Sequence, residues 1–504
     1  MTDADGPFVV VGGDAAGLSA ASKCVREDPD RTVVVFERGQ WVSYAHCGLP
    51  YYVKGEVDRL TDLVTLTPDD VADRGIDLRR GHEVTAVDTG AETVTVEAGG
   101  EEYEQPYGAL LIATGASART APVDGAALDG AFTIHGLDAA GALRAFLRPP
   151  AEVNPEAVDG DAVDRERVRR YADRKPPDSA VIVGGGYVGV EMAEALAAWD
   201  LDVTLLQRAD RLLPPFGAAV ADRVQAHLED RGVTVRTGVE VDHLRGDDHV
   251  TGVVAGGETL STRLAVVGVG IEPNTAPVAA TDVTLGASGA IATDRHGQTS
   301  VSGVYAAGDC AEARHTVTGD PVWVPLGLTA NRAGRAIGAT VAGEPTPVGD
   351  VAGTAVLKAF DLGCGRTGLL DAERAREAGL DPVAETVTAG SRSGYYPGAA
   401  DTTVTLVADR STGRVLGAST VGTDRAAKRI DTVATALDAD MTVGELQRLD
   451  LGYAPPFSPV WDPVLVAAKV LGGSVDGDQA GERGGDREAA GGARDANDDP
   501  TASG

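Results

Sequence analysis

Two copies of one local pattern constrain the fold of this chain more than any other feature. In the first copy a short run of Val and Phe enters the turn G-G-D-A-A-G at residues 12–17, an alanine-rich stretch follows, and a second apolar run ends at Glu37. In the second copy the run that starts at Ala180 enters G-G-G-Y-V-G at residues 184–189. Strand, glycine turn, helix and strand in this order predict a dinucleotide-binding βαβ unit. The sequence therefore predicts two such units.

The first unit carries one departure from the usual glycine spacing and one confirming acid. Asp14 stands where the G-x-G-x-x-G pattern has its middle glycine. Glu37 lies twenty residues after Gly17, at the end of the next predicted strand, where a carboxylate accepts hydrogen bonds from ribose hydroxyls. We expect the turn to hold a pyrophosphate against the N-terminus of the following helix.

The second unit keeps its three glycines but lacks the ribose-binding acid. Gln207 occupies that position and Arg208 follows it. Loss of the carboxylate and gain of a guanidinium favour a 2′-phosphate, so we expect NADPH in preference to NADH. Two adjacent dinucleotides are most sensibly a nicotinamide hydride donor and a flavin, and the expected cofactors are FAD and NADPH, with NADH as the alternative.

Length and composition set the remaining limits. A chain of 504 residues is too long for one hydrophobic core and suits three domains. The formal charge of -32 is spread along the chain, so no nucleic acid or membrane partner is expected, and a salt-adapted source is favoured. The cysteines Cys24, Cys47, Cys310 and Cys364 show neither disulfide nor zinc spacing, so no metal is expected. Together with the lack of an export signal, this predicts a cytoplasmic location.

The order of apolar runs predicts an interrupted domain. L-L-I-A-T-G at residues 110–115 and G-V-Y-A-A-G-D at residues 303–309 look like buried strands of the first unit on either side of the second. The predicted fold class is α/β, with two Rossmann-like domains and a C-terminal α+β domain. The expected bounds are 1–118 and 271–345 for FAD, 119–270 for NAD(P)H with a polar surface insertion at 149–177, 350–470 for the C-terminal domain, to which the family resemblance described next assigns dimerisation, and 472–504 for a disordered acidic tail.

With these motifs on the page, the chain resembles the pyridine nucleotide-disulfide oxidoreductases over about residues 7–470. The resemblance implies a FAD- and NAD(P)H-dependent enzyme in which Asp309 holds the ribityl chain of the flavin. The expected cofactor-binding residues are Gly12, Gly13, Asp14, Ala15, Ala16, Gly17, Glu37, Arg38, Val84, Thr114, Gly115, Gly184, Gly186, Tyr187, Val188, Gly189, Glu191, Gln207, Arg208, Gly270 and Asp309.

The segment around Cys47 selects a branch of that family. Disulfide reductases of the glutathione type carry a second cysteine five residues after the first, but here Tyr52 occupies that position. Cys47 is therefore expected to work alone, through a mixed disulfide, a sulfenic acid or a persulfide. We also expect the thiol pKa to be lowered beside the flavin, after a helix-capping Ser43. The other three cysteines are interpreted as packing residues.

The same branch implies a homodimer in which the partner supplies tyrosines to the site. Tyr453 and Tyr395 lie in segments that resemble its interface segments, and either could hydrogen-bond the sulfur intermediate. The residues expected to contact substrate are Ser19, Lys23, Arg26, Ser43, His46 and Asn331. A departure is Trp461 before Asp462, where the coenzyme A disulfide reductases usually carry a lysine that contacts phosphate.

Coenzyme A disulfide reductase is the first functional hypothesis, and three alternatives stay open. NAD(P)H oxidases and peroxidases use the same residues with oxygen or peroxide as acceptor. A persulfide reductase is a third variant, although that activity usually comes with an extra rhodanese domain that we do not find. A redox-sensing or electron-carrier flavoprotein with a protein partner is a hypothesis of a different class.

Overall fold

The computed structural model describes residues 6–121 and 123–485. In chain order, residues 6–121 form β1 (Phe8–Val11), α1 (Ala15–Glu27), β2 (Val33–Glu37), α2 (Leu49–Lys54), α3 (Pro68–Ala72), β3 (Asp77–Arg80), β4 (His82–Asp88), β5 (Thr93–Ala98), β6 (Glu101–Pro106), β7 (Ala109–Ile112) and β8 (Ala116–Ala118). The next part forms β9 (Ala131–Phe132), α4 (Leu137–Leu147), α5 (Arg165–Ala172), β10 (Ser179–Val183), α6 (Tyr187–Ala197), β11 (Asp202–Gln207), α7 (Ala218–Asp230), β12 (Thr234–Thr237), β13 (Val241–Arg245), β14 (Gly252–Ala255), β15 (Glu258–Leu260), β16 (Ala265–Val267) and β17 (Ile271–Pro273).

The remaining chain returns to the first unit and then forms the C-terminal region. Its elements are β18 (Val304–Ala306), β19 (Ala313–Arg314), β20 (Pro321–Val322), α8 (Gly327–Val341), β21 (Ala355–Ala359), β22 (Leu362–Gly368), α9 (Ala372–Glu377), β23 (Pro382–Gly390), β24 (Asp401–Asp409), β25 (Val415–Gly422), α10 (Ile430–Asp438), α11 (Val443–Leu446) and α12 (Pro463–Gly485).

The first glycine turn belongs to a parallel sheet in the order β18-β7-β1-β2-β3. Its central strands are buried along their whole length, as expected for parallel strands that are covered on both faces. On one face α1 packs closely on α8, because a Cβ at Gly334 would lie 2.2 Å from the carbonyl oxygen of Ala16. Since β18 follows the whole second unit in sequence, the predicted interruption of the FAD domain is confirmed.

The second glycine turn belongs to a parallel sheet of its own, in the order β12-β11-β10-β16-β9. Each unit also carries a three-stranded antiparallel sheet, formed by β4, β5 and β6 in the first and by β13, β14 and β15 in the second. The antiparallel pair of β8 and β17 lies where the chain leaves the first unit and where it returns. The predicted pair of Rossmann-like units is therefore confirmed.

The C-terminal region is built on an antiparallel sheet in the order β21-β22-β25-β24-β23. Helices α10, α11 and α12 cover this sheet with side chains that form a separate apolar core, including Leu437, Leu446 and Leu471. This arrangement confirms the predicted α+β domain. Among the described residues, no helix combines the length and apolar character needed to cross a membrane.

Two segments differ from their sequence-based description. The stretch at 149–177, expected as a polar surface insertion, contains α5, whose Val168 and Tyr171 are buried in the largest core. The ring of Tyr171 lies 5.0 Å from that of Phe132, so the helix is amphipathic and not merely solvated. At the C-terminus, α12 continues to Gly485, past the expected start of the disordered tail at Gly472. Residues 486–504 of that tail lie outside the described residues.

Candidate active site

Both glycine turns leave a helix N-terminus free for an anion. In the described chain, no side chain caps the first turn of α1 or α6, so their N–H groups remain available. Gly12 and Gly184 have φ values of +114° and +108°, a region that favours glycine. A Cβ at Gly17 would lie 1.9 Å from the oxygen of Gly12, and the same distance separates a Cβ at Gly189 from the oxygen of Gly184. Each turn therefore fits the pyrophosphate of a dinucleotide.

Glu37 fastens the end of β2 to the first glycine turn. Its carboxylate accepts hydrogen bonds from the N–H groups of Gly13, at 2.9 Å, and Gly39, at 2.7 Å. Two donors suit a carboxylate, because each oxygen accepts one bond. Arg38, which was expected to contact the cofactor, is exposed beside it.

Gln207 occupies the corresponding place in the second unit but has different partners. Its Oε1 accepts a hydrogen bond from the N–H of Gly185 at 3.2 Å, and its Nε2 donates to the carbonyl oxygen of Arg211 at 3.2 Å. One donor and one acceptor suit an amide and not a carboxylate. The guanidinium of Arg208 is 76% exposed, and its nearest carboxylate, that of Glu240, is 3.9 Å away. The end of β11 in the second unit thus presents an amide, followed by an exposed cation.

The turn after β7 is fixed by Asn274, which sequence reasoning missed. Its Nδ2 donates to the carbonyl oxygen of Thr114 at 2.9 Å, and its backbone N–H donates to that of Gly115 at 3.0 Å. In return, the Thr114 hydroxyl donates to the carbonyl oxygen of Asn274 at 2.5 Å. Gly270, four residues earlier, has a φ of +110°. The available signal was the polar sequence E-P-N at residues 272–274, which follows shortly after the apolar run that forms β16.

Asp309 lies near the first glycine turn, as its expected role requires. Its backbone carbonyl oxygen accepts a hydrogen bond from the indole of Trp323 at 2.8 Å. Burial raises the pKa of the Asp309 carboxyl; the charge of His46 opposes this and that of Asp14 adds to it. Val84 is buried in β4, where the register of the β4-β5 pair shifts.

Asp14, the departure from the glycine pattern, holds the loop that carries Cys47. Its Oδ1 accepts a hydrogen bond from the N–H of Tyr44 at 3.2 Å, and its Oδ2 lies 2.5 Å from Nε2 of His46. The His46 ring stacks on Tyr44, with centroids 4.2 Å apart. Burial alone would lower the pKa of His46, but the bond to Asp14 and the charge of Asp309 outweigh it and raise that pKa. The carboxylate at position 14 therefore couples the turn to this loop.

Cys47 is exposed and lies in the short 3-10 turn His46–Gly48, directly before α2. Burial by the surrounding protein raises the pKa of its thiol, and the charges of Glu191 and Asp309 raise it further. The prediction that this pKa is lowered is therefore wrong as far as the side chains around Cys47 are concerned. The nearest charges are negative, and they raise the pKa. Tyr52, at the position of a second cysteine, is buried beneath the guanidinium of Arg144.

The other cysteines and Ser43 also differ in their environment from Cys47. Cys24, Cys310 and Cys364 are buried, as their interpretation as packing residues predicts.

Ser43 caps no helix: it has a φ of +49°, and its hydroxyl lies 2.7 Å from that of Thr65. A residue other than glycine in this conformation stores backbone strain, which is common near functional sites.

Helix α6 contributes Glu191 to the same region. The hydroxyl of Tyr51, on α2, donates to the Glu191 carboxylate at 3.2 Å. Burial raises the pKa of Glu191 to about 7, opposed by the bond from Tyr51. At the start of the same helix the ring of Tyr187 packs edge-on against Phe216, and Val188 is half-buried.

The expected substrate-binding residues of α1 fall into two groups. The Ser19 hydroxyl donates to Oδ1 of Asn331 on α8 at 2.7 Å, so these two residues are brought together. Lys23 and Arg26 instead lie beside Glu27, with Lys23 Nζ 2.5 Å and Arg26 Nε 3.7 Å from Oε1 of that carboxylate. A phosphate at this face would compete with Glu27 for both cations.

The two tyrosines of the C-terminal domain project from anchored segments. Tyr395 is 77% exposed and Tyr453 is 50% exposed. Arg429 joins their segments, because its guanidinium donates to Asp462 at 2.9 Å and also to the carbonyl oxygen of Ser391. Within the described part of the chain, no hydrogen bond or ring contact links either tyrosine to the Cys47 loop. Asp462 and Arg429 thus form an internal ion pair beside Trp461, the residue at which this chain departs from the coenzyme A disulfide reductases.

The chain has two dinucleotide-binding units of the same design, and the second is inserted into the domain that contains the first. A single accessible cysteine lies near both. This combination defines a flavin-dependent pyridine nucleotide oxidoreductase. The chain belongs to the pyridine nucleotide-disulphide oxidoreductase family, whose model matches residues 6–334 and whose dimerisation domain matches residues 354–463. It is accordingly a FAD- and NAD(P)H-dependent enzyme.

Several characterised proteins are similar to this chain along nearly its whole length. The NAD(P)H coenzyme A polysulfide/persulfide reductase of Pyrococcus horikoshii is 39% identical over 466 residues, which cover 92% of this chain and 98% of that protein. The coenzyme A disulfide reductase of Staphylococcus aureus is 29% identical over 455 residues, 90% of this chain and 96% of that protein. The structure of a NAD-dependent persulfide reductase from A. fulgidus matches with a TM-score of 0.85 and 34% identity, covering 94% of this chain and 84% of that one.

Proposed function

We propose that this enzyme reduces sulfur–sulfur bonds of coenzyme A substrates, with coenzyme A disulfide as the first candidate and Cys47 as the reacting thiol. The observation that carries the proposal is the isolation of Cys47. It is exposed, Tyr52 fills the position of a resolving cysteine, and the three other cysteines are buried. In a disulfide reductase of this kind, the bonding partner of Cys47 is therefore a sulfur of the substrate and not a second cysteine of the chain.

The proposed reaction has one thiol-disulfide exchange step and one reductive step. The Cys47 thiolate attacks one sulfur of coenzyme A disulfide, the substrate S–S bond breaks, and the first coenzyme A leaves as a thiolate that takes up a proton. Two electrons and a proton from NAD(P)H then cleave the mixed disulfide, which releases the second thiol and returns the Cys47 thiolate. FAD, when bound, supplies the two-electron chemistry that connects the two substrates.

The second candidate substrate is a persulfide or polysulfide of coenzyme A. The Pyrococcus horikoshii relative carries that activity in its name and matches this chain over 98% of its own length. A relative that this chain matches almost end to end is thus named a persulfide reductase. An additional rhodanese domain is therefore no criterion for choosing between the two activities. Oxygen or peroxide as the acceptor is the third possibility, since a protein of Methanocaldococcus jannaschii named NADH oxidase is 30% identical.

The finer assignments form part of the same proposal. Gln207 and Arg208 favour NADPH, because the first adds no negative charge and the second offers an exposed cation to a 2′-phosphate. A homodimer would bring Tyr453 and Tyr395 of a second copy to Cys47, and the family's dimerisation domain supports that assembly. The acidic composition and the reduced cysteines support a salt-rich, reducing cytoplasm.

The test is NADPH consumption by the FAD-loaded enzyme with four acceptors: coenzyme A disulfide, coenzyme A persulfide, oxygen and hydrogen peroxide. We expect turnover with one or both coenzyme A substrates, loss of that turnover in Cys47→Ser, and retention of FAD. Cys24→Ala is the matched control, because it removes a buried thiol elsewhere. Turnover of the sulfur substrates by Cys47→Ser would refute the mechanism. Absence of turnover with every acceptor would favour an electron carrier instead.

A further inference from the structure

A buried carboxylate of the NAD(P)H unit joins all three parts of the molecule. Glu194 lies on α6, and its side chain is only 3% exposed. Its Oε1 accepts hydrogen bonds from Lys54 on α2, at 2.6 Å, and from Lys358 on β21, at 2.8 Å. Its Oε2 accepts a bond from the backbone N–H of Phe360 at 2.7 Å. One carboxylate therefore holds the helix after Cys47, the second dinucleotide unit and the C-terminal domain.

Helix α2 is attached to α6 at further points on the same face. The indole of Trp199, just beyond α6, donates to the carbonyl oxygen of Val53 at 2.9 Å. One turn before Glu194, Glu191 accepts the bond from Tyr51 at 3.2 Å. Lys358 Nζ also lies 5.6 Å from the centre of the Tyr51 ring. Because α2 begins two residues after Cys47 and α6 begins at the second glycine turn, these contacts link the two reacting ends of the site.

The charges around Glu194 show how its role differs from that of the neighbouring Glu56. Lys54 and Lys358 bring two positive charges to the buried carboxylate, and Glu56 supplies a second negative charge at 2.5 Å from Lys54. The four charges balance, yet their exposure differs, since the Glu56 side chain is 46% exposed. Removing Glu194 leaves Lys54 and Lys358 with only the exposed carboxylate of Glu56 as a partner, whereas removing Glu56 keeps the buried carboxylate between them.

We propose that Glu194 is a positioning residue that sets the place of Cys47 relative to the nicotinamide end of the second unit. It acts through Lys54 on α2, while Lys358 and the Phe360 N–H hold both helices to the C-terminal domain. The inference rests on the proposed role of Cys47 as the reacting thiol but does not depend on which acceptor the enzyme uses. Small displacements of a reacting group are sufficient to cost a large part of a catalytic rate.

The test compares Glu194→Gln and Lys54→Met with Glu56→Gln as the matched control. Each variant is assayed as FAD-loaded dimer or monomer, whichever form the wild type adopts. The readouts are kcat and KM for NADPH, the rate of Cys47 alkylation by iodoacetamide, and the thermal midpoint. We expect Glu194→Gln and Lys54→Met each to lower kcat by about tenfold or more with a smaller change in KM, and to alter the alkylation rate of Cys47. Glu56→Gln should stay within about twofold of wild type.

The double variant distinguishes positioning from a general loss of stability. If Glu194 acts through Lys54, Glu194→Gln combined with Lys54→Met should be no slower than the worse single variant, because both remove the same contact. The proposal is overturned if the variants lower the thermal midpoint but leave kcat and the alkylation rate within about twofold of wild type per bound FAD. Should Glu194→Gln fail to retain FAD, Lys54→Met alone decides by the same criteria. Alkylation of Cys47 needs no acceptor, so it tests the inference even if the proposed substrates fail.

Discussion

Replacement of Glu37 by Gln should weaken FAD binding although the two side chains have nearly the same shape. The Glu37 carboxylate accepts hydrogen bonds from Gly13, at 2.9 Å, and Gly39, at 2.7 Å. An amide at this position can accept only one of them, and its NH₂ group must then face the other N–H donor. The variant therefore loses one bond, reduces the other to a neutral one and leaves a backbone donor without an acceptor.

The magnitude follows from these bonds. A hydrogen bond to a charged group contributes about 1.5–3 kcal/mol and a neutral one about 1 kcal/mol, so exchanging two charged bonds for one neutral bond loses roughly 2–5 kcal/mol. Part of this loss is expressed in cofactor binding, because the same turn is expected to hold the pyrophosphate and the carboxylate is expected to contact the ribose. At about 1.4 kcal/mol for each factor of ten, we expect the dissociation constant of FAD to rise by about 10- to 100-fold.

The assay is titration of the FAD-depleted protein with FAD, followed by flavin fluorescence. NADP⁺ binding, measured on the same variant, is the internal control, because the second unit does not contain Glu37 and should be unaffected. An unchanged dissociation constant for FAD in Glu37→Gln would refute the reasoning, since it would mean that the two N–H donors do not require a carboxylate.

The remaining predictions concern the second unit and the Cys47 loop. Gln207→Glu should shift coenzyme preference, measured as kcat/KM, toward NADH, because the new carboxylate repels a 2′-phosphate. It should also lower the thermal midpoint, because a carboxylate oxygen would replace Nε2, which in the wild type donates to the carbonyl oxygen of Arg211 at 3.2 Å. Asp14→Asn should lower the pKa of His46, measured by NMR titration of its ring, because the Asp14 carboxylate now raises it; an unchanged pKa would contradict this assignment. Glu191→Gln should gain stability relative to wild type as the pH rises from 4.5 to about 7. The folded wild type favours the protonated Glu191 carboxyl, and it loses this contribution to stability over that interval. Above about pH 7 the difference in thermal midpoint between the two proteins should be constant.

Short-range patterns were sufficient to predict the architecture of the two units. Glycine turns between apolar runs specify a βαβ unit through backbone geometry alone, and the acid at Glu37 follows from chain spacing. The interruption of the first unit was equally accessible, because the strand before Asp309 needed a parallel partner. These features depend on residues that are close in sequence or on a sheet whose order has few alternatives.

The contacts that shape the surroundings of Cys47 could not be read from the sequence in this way. Asp14 appeared as a defect in a glycine motif, but its carboxylate reaches His46, 32 residues away. Glu194 reaches Lys54 and Lys358 over 140 and 164 residues. Such pairings depend on how whole units pack against each other, and a lone acid or lysine carries no local signal of its partner. The direction of the Cys47 pKa shift was mistaken for the same reason.

The raised pKa of Cys47 bears on its reactivity with every acceptor. A thiol with a high pKa is mostly protonated near neutral pH, which slows its oxidation by peroxide, because the thiolate is the species that reacts. Attack on a disulfide or persulfide needs the same thiolate, so the raised pKa slows sulfur exchange as well. The acids Glu191 and Asp309 beside Cys47 therefore disfavour the reactive thiolate with either kind of acceptor. Protonation of Glu191, whose pKa is about 7, removes one of these charges and so lowers the pKa of the thiol.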